Sequence, residues 1–540
     1  MIRILNFNVA FNDKSSLQEL AAKRLNLAPQ DIREVLIMRK AIDARRFHGA
    51  PIRFVYMLDV ALEGNEKKVL ARFKKDKNIQ PAKAQIKEKL IVIVPPLAGE
   101  EKPPVVVGFG PAGMFAALTL ARHGYKPVVL ERGRDVDSRH RDIEKFWQGG
   151  AFDEVSNVQF GEGGAGTFSD GKLTTRVNDP LMSQVLEDFV TAGAPPEIKY
   201  LHKPHIGTDL LRQVVKNIRL EIIRLGGEIR FESRVTGIRT GAVGEIQAVE
   251  VNNQDSIPAS AVFMGIGHSA RDTYEMLWEK GVAMEAKAFA IGVRIEHPQE
   301  WIDRVQYEED AGNPLLPVAD YALTYNDRST GRGAYSFCMC PGGQVVAAAS
   351  ENGGVVTNGM SNYHRDSGVA NAAILVTVNT GDFADHVLGG IQFQRQWERL
   401  AYELAGKNYY APVQTVGDFL TGQSGSRDFL TTPSYQPGVK TVDLHQCLPG
   451  FVTQMMEAAL PFWERKIKGF ADKGAVMTGV ETRSSAPCRI IRDKGSYQSL
   501  STPGLYPMGE GAGYAGGIMS AALDGMNSTL AFLREKGHNI

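Results

Sequence analysis

Apolar and polar residues alternate from the start of the chain: Leu5, Phe7, Val9 and Phe11 interleave with Asn6 and Asn8, the period of a strand with one covered face, over 2–11. Helical spacing follows over about 15–26 and 29–46, then a strand pattern at 52–62, a helix at about 65–76 and a strand at 88–94. Together these elements predict a small α+β unit. Pro95, Pro96, Pro103 and Pro104 then interrupt any helix or inner strand, and Glu100, Glu101 and Lys102 between them favour water. Residues 1–95 therefore read as an N-terminal domain and 96–104 as a linker.

Beyond the linker the pattern changes to short, wholly apolar strands alternating with helices. Val105–Val107 and Val128–Leu130 bracket a helical run from Met114 to His123, and a later helix leads to strands at 228–231 and 246–251 and an apolar stretch at 261–264. From 288 to 295 and from 344 to 349 the alternation is that of antiparallel strands, and Gln394 to Ala405 reads as a helix covering them. A last strand at 504–508 runs through a Gly-rich turn into an Ala-rich helix ending near Arg534.

The first of these junctions carries chemistry. Gly108, Gly110 and Gly113 are spaced Gly-x-Gly-x-x-Gly between a strand and a helix, and Glu131 ends the next strand, which is the layout of a dinucleotide site. Gly108 permits the tight turn, Gly110 leaves room for a pyrophosphate against the backbone, and Gly113 lets helix and strand approach. Phe109, Pro111 and Ala112 complete the turn, whose amides and helix dipole attract the pyrophosphate, while Glu131, with Arg132 beside it, can accept from ribose hydroxyls. Five glycines within 161–171 open the backbone to a planar ring: Gly161, Gly163, Gly164 and Gly166, with Thr167, Ser169, Asp170 and Lys172 as polar neighbours of Gly171.

The segment Gly504–Met519, with Gly509, Glu510, Gly516, Gly517 and Ile518, and the strand-plus-Gly piece Ala261–His268, with Gly265 and Gly267, resemble flavoproteins of the glutathione-reductase-like superfamily. That resemblance implies non-covalent FAD. It sets Glu510 by the ribityl and pyrophosphate region, Val235 where backbone meets adenine, Gly265 and Gly267 where the site closes, and the helix after Gly517 toward the flavin. The strings Gly161–Leu173, Tyr335–Gly343 and Glu481–Pro487 are similar, more narrowly, to a bacterial family of uncharacterised FAD-dependent, or NAD- or FAD-utilising, dehydrogenases. The fold class expected is α/β: a discontinuous Rossmann-like FAD/NAD(P)-binding domain at 105–285 and 485–540, an inserted, mainly antiparallel β substrate domain at 286–484, and the N-terminal α+β domain.

No second strand–Gly-x-Gly-x-x-Gly–helix follows, so NADH or NADPH is expected only as a transient reductant in the substrate's place. Candidates for substrate chemistry are Arg294, His297, Arg483, Ser484, Ser485 and Arg489, whose guanidinium groups could clamp a carboxylate or phosphate or could instead form interdomain salt bridges. His268 and His364 could donate a proton or serve as satisfied loop residues. Cys338 and Cys340, at i and i+2 of a strand, would share a face as a redox pair or as small packing residues, whereas Cys447 and Cys488 have no paired spacing. No His/Cys cluster suits a metal.

Composition narrows the class. The 540 residues are 43% apolar, enough for about three domains, and four cysteines do not make a secreted disulfide framework. Without a signal-peptide pattern or a ~20-residue apolar run, a cytoplasmic location is expected. Lys plus Arg equals Asp plus Glu at 61 each, yet residues 1–95 carry a net +9, with blocks at Lys67-Lys68 and Lys74-Lys75-Asp76-Lys77. That surface could meet RNA, or dock on the chain's own acidic remainder, which is the favoured reading. The function expected is an FAD-dependent oxidoreductase moving hydride through flavin N5 to or from a small molecule. A flavin-dependent RNA or cofactor modifier and a non-enzymatic flavin redox sensor are the alternatives.

Overall fold

The computed structural model describes residues 1–45, 51–82 and 102–538. A parallel sheet of five strands orders them Leu505–Pro507, Val262–Met264, Val105–Val107, Val128–Leu130 and Glu228–Arg230, so pieces far apart in sequence become neighbours. Val105, Val106, Val128, Val129, Val262 and Phe263 are buried because both faces are covered, one by helices and the other largely by a three-stranded antiparallel sheet of Val235–Thr240, Ile246–Val251 and Asp255–Pro258. Helices Pro111–Arg122 and Ile518–Glu535 pack on one another along one face, and Ala112 through Ala121 are buried without a break.

The second large element is a seven-stranded sheet ordered Thr324–Asp327, Arg332–Cys340, Val369–Val378, Phe289–Pro298, Val476–Glu481, Ala411–Thr415 and Val439–Thr441. Its pairings are antiparallel except the last, Ala411–Thr415 with Val439–Thr441. Helices Gly389–Leu404 and Gly450–Glu464 contribute to its core, where Trp463 and Phe470 are buried against Ile291, Val293 and Ile295.

The N-terminal unit forms its own sheet, ordered Ile32–Asp43, Arg53–Leu62, Ile2–Ala10 and Ile79–Pro81. Here the helix expected at 29–46 is instead a strand preceded by one short 3₁₀ turn, Pro29–Asp31. Two bulges, between Ile32 and Glu34 and between Ile37 and Arg39, break the two-residue period and leave spacings that imitate a helix. The helix expected at 65–76 is cut to Glu66–Arg72. The strand expected at 88–94 and most of the 96–104 linker lie outside the described residues.

Among the described residues, this unit docks on the rest of the chain through backbone pairing and apolar packing, with a side-chain contact of Arg39 Nη2 to His202 Nδ1 at 2.8 Å. The Lys40 amide donates to Tyr200 O at 2.7 Å and its carbonyl accepts from the His202 amide at 2.8 Å, while Phe11 and Ile52 join an apolar cluster with Ile302, Tyr307 and Met339. Lys67, Lys68, Lys74, Lys75 and Lys77 remain exposed. Among the described residues, no helix is long and apolar enough to cross a membrane.

Candidate functional site

A cleft of about 530 Å³ opens at the C-terminal ends of the strands Val105–Val107, Val262–Met264 and Leu505–Pro507, where doubly wound sheets bind ligands. Gly108 has φ +87°, and a Cβ on it would meet Gly265 O at 2.4 Å. A Cβ on Gly113 would meet Gly108 O at 1.9 Å, so these two glycines set the closeness of strand and helix. Gly110 differs, because nothing lies nearer its Cβ direction than Gly164 Cα at 3.8 Å; its missing side chain leaves cleft rather than packing.

Two helix starts share this cleft. Gly110, Pro111 and Ala112 line it at the head of Pro111–Arg122, and Gly516, Gly517 and Ile518 line it at the head of Ile518–Glu535. Neither helix has a capping side chain, so their first amides and positive dipole ends face the cavity unsatisfied by side chains. Gly265, Gly267 and Gly509 also line the cleft, and Val235 and Ser233 line its Glu131 end.

Glu131 is buried and already at work. Oε2 accepts from the Phe109 amide at 2.8 Å, and Oε1 accepts from the amides of Gly133 and Gly161, each at 2.9 Å. The carboxylate thus ties the first turn to the 160s loop and keeps acceptor capacity on Oε2. Arg132 lies 4.4 Å from the Phe160 ring centroid and donates to Asp272 and Thr273, both at 2.9 Å. Glu510 accepts from the Ala486 amide at 2.9 Å, and burial pushes its carboxyl above the usual range. A Cβ on Gly516 would meet Glu510 Oε2 at 2.5 Å.

Of the 160s loop, Gly164, Gly166, Ser169 and Asp170 line the cleft, whereas Gly161, Gly163 and Thr167 frame the loop from behind, as do Phe109 and Gly113 for the first turn. Asp170 is engaged by Arg365, with Nη2 at 2.6 Å, and by Ser361, so it clamps the loop to the strand Thr357–Ser361. The sequence reading missed Arg139. It is fully buried and donates to the carbonyls of Asn157 (2.8 Å), Glu162 (2.7 Å) and Val158 (2.9 Å), holding the loop's first half. A signal existed: Arg139 falls on the stripe Val136, Ile143 and Phe146 of its helix, where an apolar residue is expected.

The facing wall comes from Phe337, Cys338 and Met339 of the large sheet, from Tyr321 just ahead of it, and from Val356 and Asn358 at the strand Thr357–Ser361, which pairs with Gly343–Ala347 in a separate two-stranded sheet. Several candidate substrate residues are placed differently from the clamp reading. Arg483 borders the cleft but donates to Glu398 through Nε (3.1 Å) and Nη2 (2.9 Å), and to Ser350. Arg271, also missed, holds the same Glu398 at 2.8 and 2.9 Å. Burial works against ionisation there, but Arg271 and Arg483 hold the Glu398 carboxyl well below its usual range. Arg483 is therefore held in a salt bridge, though with a partner in its own 286–484 segment; it is Arg271, from 105–285, that reaches across to Glu398.

Arg489 lies outside the cleft, pairing with Glu285 at 2.8 Å. Arg294 is buried beneath the wall, bound to both Glu481 oxygens and, at 2.9 Å, to Cys338 O. His297 is buried on Phe470 O at 2.9 Å, and His364 and Ser485 do not reach the cleft; Ser484 lines it, with its hydroxyl given to Ala290 O at 2.7 Å. His268 lines the cleft, and burial, reinforced by Arg483 and Arg271, pushes its imidazole down to about 3. It is neutral at physiological pH. Cys338 lines the cleft and Cys340 lies behind it, not on a regular strand but on a bulge between Phe337 and Cys340.

Comparison with known proteins adds the following. A family model described as FAD-dependent protein, C-terminal domain-like, matches residues 288–484, and a model for a domain of unknown function matches residues 1–61. An uncharacterised protein of Clostridium beijerinckii is 50% identical over 530 residues, covering 97% of each chain. Among solved structures, the halogenase PltM aligns at 10% identity over 81% of this chain and 68% of its own, with a TM-score of 0.37. The glycerol-3-phosphate dehydrogenase from Bacillus halodurans complexed with FAD aligns at 12% identity over 81% and 66%, with a TM-score of 0.33. E. coli quinol fumarate reductase FrdA aligns at 12% over 81% and 71%, with a TM-score of 0.36.

Proposed function

Because this chain belongs to one family with its uncharacterised Clostridium relative and its residues 288–484 match the model of an FAD-dependent protein's C-terminal domain, we propose that it is an FAD-dependent oxidoreductase whose cofactor lies in the cleft between the parallel sheet and the large antiparallel sheet. One observation carries the reading: two long helices from opposite ends of the sequence open their uncapped N-termini into the same cavity, through turns whose glycines leave backbone exposed. The residues present fit the cofactor. The turn Gly108–Gly113 would hold the pyrophosphate, Glu131 the adenosine ribose through its remaining acceptor capacity, and Val235 the adenine side. Gly265 and Gly267 would close the site. The loop at Gly164, Gly166, Ser169 and Asp170, with Glu510 and the start of the helix Ile518–Glu535, would meet the flavin.

Bound there, FAD supplies a two-electron hydride acceptor or donor at N5. The chain's own part is positioning and electrostatics. Arg271 and Arg483 join the two sheets' connections through Glu398, beside a wall whose Tyr321, Phe337, Met339 and Val356 favour a small substrate with an apolar face. His268, neutral, can offer one ring nitrogen as donor or acceptor but carries no standing positive charge into the cleft. NADH or NADPH, without a domain of its own, would enter as a transient reductant in the substrate's place. The test is anaerobic: purified protein should be yellow, release unmodified FAD on denaturation, and bleach with a reducing substrate. Colourless protein that takes up no FAD would end this reading.

A further inference from the structure

The strand Arg332–Cys340 pairs Phe337 with Ala373 and then Cys340 with Asn371, so three steps on one strand match two on the other. The surplus residue is accommodated at Cys338, whose φ of +43° lies in the left-handed region that costs a side-chain-bearing residue free energy. Bulges of this kind re-aim side chains beside active sites. Three successive carbonyls hold it in place. Cys338 O accepts from Arg294 Nη1 at 2.9 Å and from Cys340 Sγ at 3.2 Å, Met339 O accepts from Lys172 Nζ, and Cys340 O accepts from Asn371 Nδ2 at 3.4 Å.

The result is an asymmetric thiol pair. Cys338 is partly exposed and lines the cleft, Cys340 is wholly buried behind it, and the Cys340 thiol donates to the Cys338 carbonyl at 3.2 Å. The neighbouring Cys340 side chain, with the Lys172 and Arg294 cations, outweighs burial and favours the Cys338 thiolate. Cys447 and Cys488 offer a control within the same chain: both are buried, and burial pushes each thiol up to about 12.

From this arrangement we propose that Cys338 and Cys340 are a redox-active dithiol–disulfide pair exchanging two electrons with flavin in the cleft, an inference that rests on the FAD reading above. In the oxidising direction both S–H bonds break and one S–S bond forms. Two electrons and two protons pass to oxidised flavin, giving dihydroflavin. In reverse, the disulfide is opened by the same electrons and protons. A flat strand would set Cα atoms two residues apart at about 6.4–6.8 Å, at the long edge of disulfide geometry. The bend at Cys338, by contrast, brings Cys340 Sγ to 3.2 Å from the Cys338 carbonyl oxygen, an atom of the residue that carries its partner thiol. The strain at Cys338 has a function on this view, since it turns one sulfur toward the cleft without separating it from its partner.

The test uses the full-length, FAD-loaded protein. Anaerobic dithionite titration, followed by flavin absorbance, is expected to consume about four electrons per flavin, because a disulfide adds a second two-electron couple. Cys338→Ser and Cys340→Ser should each consume about two. Thiol counting after rapid denaturation should find all four cysteines free in reduced protein. In oxidised protein Cys338 and Cys340 should be lost together, joined in one peptide by mass. Yellow protein that takes up about two electrons and keeps all its thiols through repeated oxidation overturns this proposal and leaves the FAD reading intact. Protein unable to bind FAD overturns both.

Discussion

Gly525 lies against the carbonyl oxygen of Ala112: a Cβ on it would come within 2.1 Å of that atom. The contact fixes how helix Ile518–Glu535 crosses helix Pro111–Arg122, and so where their two uncapped starts sit in the cleft. Gly525→Ala should force the helices apart, costing about 1–3 kcal/mol and weakening FAD binding. Thermal unfolding with and without added FAD checks this; an unchanged melting temperature and unchanged affinity would contradict it.

Glu131 satisfies three backbone amides at once. Glu131→Ala would leave Phe109, Gly133 and Gly161 without that acceptor in buried backbone, at about 1–3 kcal/mol per group if no water replaces it. FAD occupancy should fall together with stability. Glu131→Ala protein that retains both would show the carboxylate to be dispensable.

Much of this was legible because it is local. Gly108, Gly110 and Gly113 announce themselves through spacing and flanking strands, and Glu510 and Gly516 through the same strand-turn-helix logic. What stayed hidden depends on partners remote in sequence. Nothing near Arg483 or Arg271 tells that both converge on Glu398, and the clamp reading of Arg483 gave way to a salt bridge for that reason. The strand Ile32–Asp43 was hidden by its two bulges, since bulges destroy the period from which strands are read; Cys338 and Cys340 were legible as a strand pair, but the bulge that holds them was not.

Glu398 is the shared anion of two buried guanidinium groups. Glu398→Gln should destabilise by about 3–5 kcal/mol, since it leaves buried cations underpaired, whereas Arg489→Ala, an exposed pair with Glu285, should cost under about 1 kcal/mol. Denaturant unfolding of both variants gives the comparison, and equal effects would refute the distinction.

His297 carries a pH dependence. It is fully buried on Phe470 O, and burial pushes its imidazole down from 6.5 to about 4. Below pH 6.5 the unfolded chain binds a proton there that the folded chain refuses, so stability falls as pH drops from 6.5 to about 4 and levels off below. The full difference is on the order of 3 kcal/mol. His297→Gln should flatten that part of the stability–pH curve; an unaltered slope would contradict the assignment.

The N-terminal unit is held by Lys40 backbone pairing and by Phe11 and Ile52 rather than by its lysine blocks. Replacing Lys67, Lys68, Lys74 and Lys75 with Gln should leave stability within about 0.5 kcal/mol, while Phe11→Ala should cost about 3 kcal/mol. Full-length protein should show no salt-dependent RNA binding. A steep loss of RNA affinity with rising salt would revive the RNA-modifier alternative.

The central claim is tested most directly at Gly110, which lines the cleft and where an added Cβ would meet nothing nearer than Gly164 Cα at 3.8 Å. The measurement is the FAD-to-protein ratio of Gly110→Trp after gel filtration in excess FAD, beside wild type, with melting temperature as the check on folding. Wild type should hold about one FAD per chain, and the variant should remain folded with almost none. A folded Gly110→Trp protein that keeps full FAD occupancy would contradict the account.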